Sequence, residues 1–85
     1  MKPNELLRNQ ILEIIYNQIN SDNPRETNQT LKRLKEMGYS DNDARMMIGQ
    51  CVSAEIFDVF KHGKPFDEKR YIKNLKNLPK EPFED

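Results

Sequence analysis

The chain has 85 residues, with 14 basic and 14 acidic side chains, so its formal net charge is zero and nothing global draws it to nucleic acid or to a membrane surface. That length fits one domain of less than the usual size with a thin core, for which self-association is an ordinary remedy. A single cysteine, Cys51, excludes an internal disulfide and suits a reducing cytosol.

No apolar run approaches the roughly 18 residues of a membrane span. Glu5 and Arg8 come too early for the apolar region of a signal peptide, so a cytoplasmic location is expected.

The first predicted helix covers about 4–20, with Asn4 as N-cap after Pro3. Leu7, Ile11, Ile14, Ile15 and Ile19 recur at helical spacing, flanked by Leu12 and Tyr16. The connector Asn20-Ser21-Asp22-Asn23-Pro24 breaks the pattern.

A second helix covers about 24–37, with Asn23 as N-cap and Pro24 in the first position. Leu31, Leu34 and Met37, with Thr27 and Thr30, form its narrower stripe. Gly38 supplies a left-handed residue that ends it, and Tyr39 can pack back on the last turn.

The third helix covers about 41–61, starting after Ser40, whose hydroxyl and Asp43 fit a capping box. Met46, Ile48, Val52, Ile56, Phe57, Val59 and Phe60 spread over well over half of its circumference at about 100° per residue. A helix apolar on so many sides is expected at the centre, contacted by the others. Gly49 lies in that face and implies close approach by another helix, because an internal glycine otherwise costs about 1 kcal/mol. His62-Gly63 closes the helix.

The fourth helix covers about 68–78. Asp67 is its N-cap, Phe66 and Tyr71 form a hydrophobic staple, and Tyr71, Ile72, Leu75 and Leu78 form the inward stripe. Pro79 stops it. The fold class is therefore all-α, a compact orthogonal bundle of four helices with helix three central. A single domain over 1–78 is followed by a flexible tail over 79–85, docked at most through Phe83.

Three features bear on function. Glu55, Asp58 and His62 share one side of helix three, and two carboxylates with an imidazole are chemically competent zinc or iron ligands. Against this, His62 is the only histidine, a histidine near a helix C-terminus is favourable by itself, and Glu55 can instead pair with a lysine or arginine at a packing boundary. No metal, cofactor or catalytic residue is assigned. Cys51 reads as a small buried hydrophobe, and no glycine-rich phosphate loop or nucleophile elbow exists, so the chain is read as a non-enzyme.

Basic residues concentrate between 61 and 80, where seven stand against Asp67 and Glu68. Lys69, Lys73 and Lys76 share the outer face of helix four, with Lys80 beyond them. They are the candidate nucleic-acid contacts. A solvated helix face has the same composition, and no aromatic residues interleave for stacking on bases, so this reading is the less favoured one.

Two resemblances are visible. Leu34-Lys35-Glu36-Met37-Gly38-Tyr39, followed by Ala44, is similar to the ubiquitin-associated domain's loop, which in that family binds a ubiquitin-like partner. That family has two short helices after the loop, whereas this chain has one long one, and a glycine C-cap explains the same residues. More broadly, Ile48-Gly49, Glu55 to Asp58, Lys61 to Asp67, Tyr71 and Leu75 to Pro79 resemble small uncharacterised prokaryotic helical proteins of unknown function. Gly63-Lys64-Pro65-Phe66-Asp67 with Tyr71 is the most specific part. The resemblance implies an all-helical fold and a microbial cytosolic setting, and brings no activity.

The function expected from these readings is a small protein-interaction module, binding itself as a homo-oligomer or another protein. The alternative is a nucleic-acid-associated protein using helix four.

Overall fold

The computed structural model describes residues 3–82, with side chains from residue 5. Four helices follow in order: α1 Pro3–Ser21, α2 Arg25–Glu36, α3 Asp41–His62 and α4 Glu68–Asn77. They form a four-helix bundle. Among the described residues no helix is long and apolar enough to cross a membrane. Phe83, the expected docking point of the tail, lies outside the described residues.

Each junction is built from local chemistry. α1 ends with Asp22 in the left-handed region at φ 52°. The Asn23 amide donates to the Gln18 carbonyl at 3.1 Å, and the Asn28 side-chain amide donates to the Ile19 carbonyl at 3.0 Å. α2 ends as expected on Gly38, at φ 106°. The Tyr39 amide donates to Leu34 at 3.1 Å and the Gly38 amide to Lys35 at 3.0 Å, the paired bonds of a Schellman motif. α3 begins on Ser40, whose hydroxyl accepts from the Asp43 amide at 3.0 Å, and ends on Gly63 at φ 65°.

Two expected caps are corrected. Pro3 is already helical in α1 Pro3–Ser21, so Asn4 is inside the helix and is not its N-cap; a proline is tolerated in the first turn, where no intrahelical donor is needed. α2 begins at Arg25 with Pro24 as N-cap and no side-chain capping bond, so Asn23 is not the cap. Pro24 is extended at φ −73°, ψ 147°, and its carbonyl accepts the Thr27 amide at 3.1 Å, which makes Pro24 the boundary residue.

Both α2 and α3 pack against all three other helices, whereas α1 and α4 do not pack against each other. Helix three is therefore central, but it shares the centre with α2. The core is Ile15 of α1, Leu31 and Leu34 of α2, Ala44, Ile48, Cys51 and Val52 of α3, and Tyr71, Leu75 and Leu78 at α4. Gly49 meets α1: a β-carbon there would stand 3.3 Å from Ile11 Cγ2 and 3.7 Å from Ile15 Cδ1. The expected close approach is real.

The outer side of α3 departs from expectation. Phe57 is 59% exposed, Phe60 85% and Met46 more than a third; Val59, on the Ile48–Val52 side near the end of the helix, is also more than a third exposed. Of the residues expected to be covered, only Ile48 and Val52 are buried, and Ile56 is half-buried. The reason is direction: α1, α2 and α4 pack against α3 and bury the side that carries Ala44, Ile48, Cys51, Val52 and Glu55, whereas at about 100° per residue Met46, Phe57 and Phe60 lie on the opposite side. Leu7 of α1 and Met37 of α2, both expected to face inward, are likewise about half exposed.

Polar side chains complete the interior. The Tyr71 hydroxyl donates to Gln18 Oε1 at 2.7 Å, and the Thr27 hydroxyl donates to the same oxygen at 2.8 Å. These bonds join α1, α2 and α4, and they link the two helices that otherwise do not touch. Arg33 of α2 donates to the Leu75 and Leu78 carbonyls at 2.9 and 2.7 Å, satisfying the end of α4. Among the described residues every buried side-chain nitrogen and oxygen has a partner.

Tyr71→Phe is expected to lower unfolding free energy in urea by about 1 kcal/mol, the net worth of one buried hydrogen bond. Tyr71→Ala is expected to cost several times more through the cavity it leaves. Burial raises the Cys51 thiol from 9.0 to about 12 and the Tyr71 phenol from 10.0 to about 12, so the folded state favours both neutral forms. Their contribution is full below pH 9.0 and is lost as pH rises toward about 12. Unfolding free energy measured against pH should therefore fall above that point, and Tyr71→Phe should remove part of the fall.

Candidate functional site

Glu55 sits in the middle of α3 with a fully buried carboxylate. A buried charge must be paired and hydrogen-bonded or it destabilises the fold. Three donors meet this one. Arg70 Nε donates to Oε2 at 2.6 Å, Arg70 Nη2 donates to Oε1 at 2.9 Å, and the Asp67 amide donates to Oε1 at 3.1 Å. Arg70 Nη2 also donates to Asp58 Oδ2 at 3.0 Å. His62 Nε2 stands 3.7 Å from Asp58 Oδ1.

Helix geometry explains the assembly. Residues 55, 58 and 62 lie on one side of α3. The turn from Gly63 to Asp67 then reverses the chain, and Arg70 comes from the first turn of α4. Asp67 caps that helix, its side chain accepting from the Arg70 amide at 3.1 Å. Phe66 and Tyr71 meet edge to face with ring centroids 5.4 Å apart, the expected staple. The Gly-Lys-Pro-Phe-Asp…Tyr segment is thus a device that delivers Arg70 to Glu55.

The structure brings Glu55, Asp58 and His62 together, and the expected lysine or arginine partner of Glu55 is Arg70. The carboxylate oxygens of Glu55 are committed to this arginine and to the α4 backbone, which leaves Glu55 a structural anion. Arg70 holds the Asp58 carboxyl below the ordinary range, and pairing with Glu55 and Asp58 raises the guanidinium itself. Among the described residues, no group of three or more His, Cys, Asp or Glu side chains is placed to hold a metal ion. Cys51 is buried, and burial and then the charge of Glu55 push its thiol up to about 12. A thiol in that state is a poor nucleophile at neutral pH.

Lys69, Lys73, Lys76 and Lys80 are all exposed. The first three follow each other along the outer face of α4, as their spacing requires. Arg70, counted among the same basic residues in the sequence, is drawn inward to Glu55 instead.

A third arrangement was only partly foreseen. Met46, Gly49, Gln50 and Ser53 of α3 line a hollow of about 350 Å³ whose other wall is Leu7 and Ile11 of α1. Phe57 and Phe60 continue the same 100°-wide stripe of α3 beyond it. Lys61 Nζ lies 5.5 Å from the Phe57 ring centroid, beside the stripe. The whole strip faces away from the core residues Ala44, Ile48, Cys51 and Glu55. Apolar residues over well over half of the circumference of helix three were the visible signal; which part stays uncovered was not readable.

No protein-family model, no curated protein and no solved structure matches the chain.

Arg70→Met is expected to cost about 3 kcal/mol in chemical denaturation, because it strands a fully buried carboxylate. Glu55→Gln is expected to cost less, since the side chain of Arg70 is 42% exposed and can turn to water and Asp58. Equal losses for the two variants would contradict this asymmetry. On the acid side, the lowered Asp58 stabilises the fold above the ordinary carboxylate value of 3.8 and loses that contribution as pH falls below it. Asp58→Asn should flatten the acid limb of the stability profile.

Proposed function

We propose that the protein is a small non-enzymatic interaction module that binds protein through the outer stripe of α3 and the adjoining hollow against α1. The observation that carries this reading is the exposure of Phe57 and Phe60, 59% and 85%, in line with the apolar hollow at Gly49. Large exposed aromatic side chains in one strip, next to a concave apolar surface, are the composition of a binding face rather than of scattered surface residues. The side chains with catalytic potential serve the fold instead: Glu55 and Asp58 hold Arg70, and Cys51 is core.

A double variant Phe57→Ser, Phe60→Ser tests the reading. Both side chains are at the surface, so thermal stability should change by no more than about 0.5–1 kcal/mol. Protein association, followed by tagged capture from nuclease-treated lysate and by sedimentation, should be lost. Lys73→Glu should leave association unchanged. Capture that disappears with nuclease, weakens steeply with salt and is abolished by Lys73→Glu would replace this reading with nucleic-acid binding through Lys69, Lys73, Lys76 and Lys80.

A further inference from the structure

We infer that the occupant of this face is a second copy of the same chain, with α3 packed antiparallel on α3 and the two-fold axis passing close to Ser53. The inference rests on the interaction reading above and names its partner.

The face carries both halves of a joint. Met46, Gly49, Gln50 and Ser53 stand at i, i+3, i+4 and i+7, the four positions that form a hole for an incoming side chain in helix packing. Gly49 adds no side chain to the hole and is itself covered by Ile11 and Ile15 of α1, so the open part lies toward Met46, Gln50 and Ser53, with Leu7 and Ile11 as the α1 wall of the hollow. The knob is Phe57, about two turns further along the same stripe. The centre of the hole falls between Gly49 and Gln50, and the point midway between it and Phe57 is Ser53. A two-fold axis at Ser53 therefore sends the Phe57 of each copy into the hole of the other, and both insertions occur together. This is the self-complementarity that an isologous interface requires. The same operation brings each Phe60 against Met46 of the other copy, both of them exposed in the single chain.

Charge selects the same arrangement. Asp43 and Lys61 lie on one edge of the stripe, because the interval from 43 to 61 is a whole five turns at 3.6 residues per turn. Under the two-fold axis each Asp43 comes to the Lys61 end of the other copy, with Lys64 just beyond. A parallel arrangement would place Asp43 level with Asp43 and Lys61 level with Lys61, so neither would meet the opposite charge. Antiparallel α3 helices also oppose their macrodipoles. With a formal net charge of zero, two copies approach without mutual repulsion.

The test uses the full chain. Sedimentation should find a dimer, and Phe57→Lys should weaken it by about tenfold or more, while the thermal melt in dilute solution, where both proteins are monomeric, stays unchanged. Asp43→Lys should weaken it as well, and Asp43→Lys combined with Lys61→Asp should restore it, which a loss of folding could not imitate. Ser53→Cys should form an intermolecular disulfide under mild oxidation, since residues at the axis of packed helices approach within the roughly 4–7 Å that a disulfide spans. Cys51 is buried on the opposite face and serves as an internal control. A chain that stays monomeric at millimolar concentration, yet captures another protein in a Phe57-dependent way, would overturn the dimer and leave the interaction reading intact. A monomer with no Phe57-dependent capture would overturn both. A dimer indifferent to Phe57→Lys, or one that Ser53→Cys fails to cross-link, would overturn this interface.

Discussion

The carboxylate of Glu55 is the constraint from which the rest of the structure follows. It is wholly buried in the middle of the longest helix, where an unpaired charge would cost far more than a small domain can spare. Its partner comes from another element, the segment that follows α3 directly. Gly63 turns the chain, Asp67 starts α4 and lends its amide, and Arg70 closes both carboxylate oxygens. The ion pair is thus also the registration pin of the α3–α4 corner. Once Arg70 is placed, the next residue, Tyr71, points into the core.

Tyr71 then carries the constraint across the molecule. Its ring is buried among core residues and its hydroxyl reaches Gln18 of α1, where Thr27 of α2 meets the same oxygen. In an interior of this size there is little apolar area to hold four helices, so direction-specific bonds set their arrangement. Arg33 does the same from α2 at the far end of α4. Two arginines and one tyrosine fasten the shortest helix at its start, middle and end. A 10-residue helix is marginal alone, and here its stability is tertiary.

This division of labour leaves one face of α3 with nothing to do in the monomer. The core face holds Ala44, Ile48, Cys51, Val52 and Glu55. The opposite stripe holds Met46, Phe57 and Phe60, turned away from the side of α3 that the core buries. Acid, base and thiol chemistry is absorbed by packing, while apolar surface is left over. That contrast is why the functional reading rests on association rather than on catalysis, and why the leftover face matters more than the pocket shapes elsewhere.

Residues near one another in the chain decided most of the elements. Ser40, Gly38, Gly63, Asp67 and the Phe66–Tyr71 staple act through hydrogen bonds and contacts within a turn or two, so their roles were readable from spacing, and so was the approach of a helix to Gly49. The two misplaced N-caps show the limit even there, because the helix boundaries fell one or two residues from where the asparagine–proline pairs placed them. What the linear pattern could not decide was pairing across the bundle. Arg70 looked like one more surface cation of helix four until the α3–α4 turn brought it to Glu55, and Gln18, Thr27 and Arg33 showed no sign of a common purpose. Nor could periodicity say which part of a helix apolar over more than half of its circumference would stay exposed. Spacing records which residues share a face, whereas coverage depends on the directions of the neighbours, and those exist only once the chain has folded.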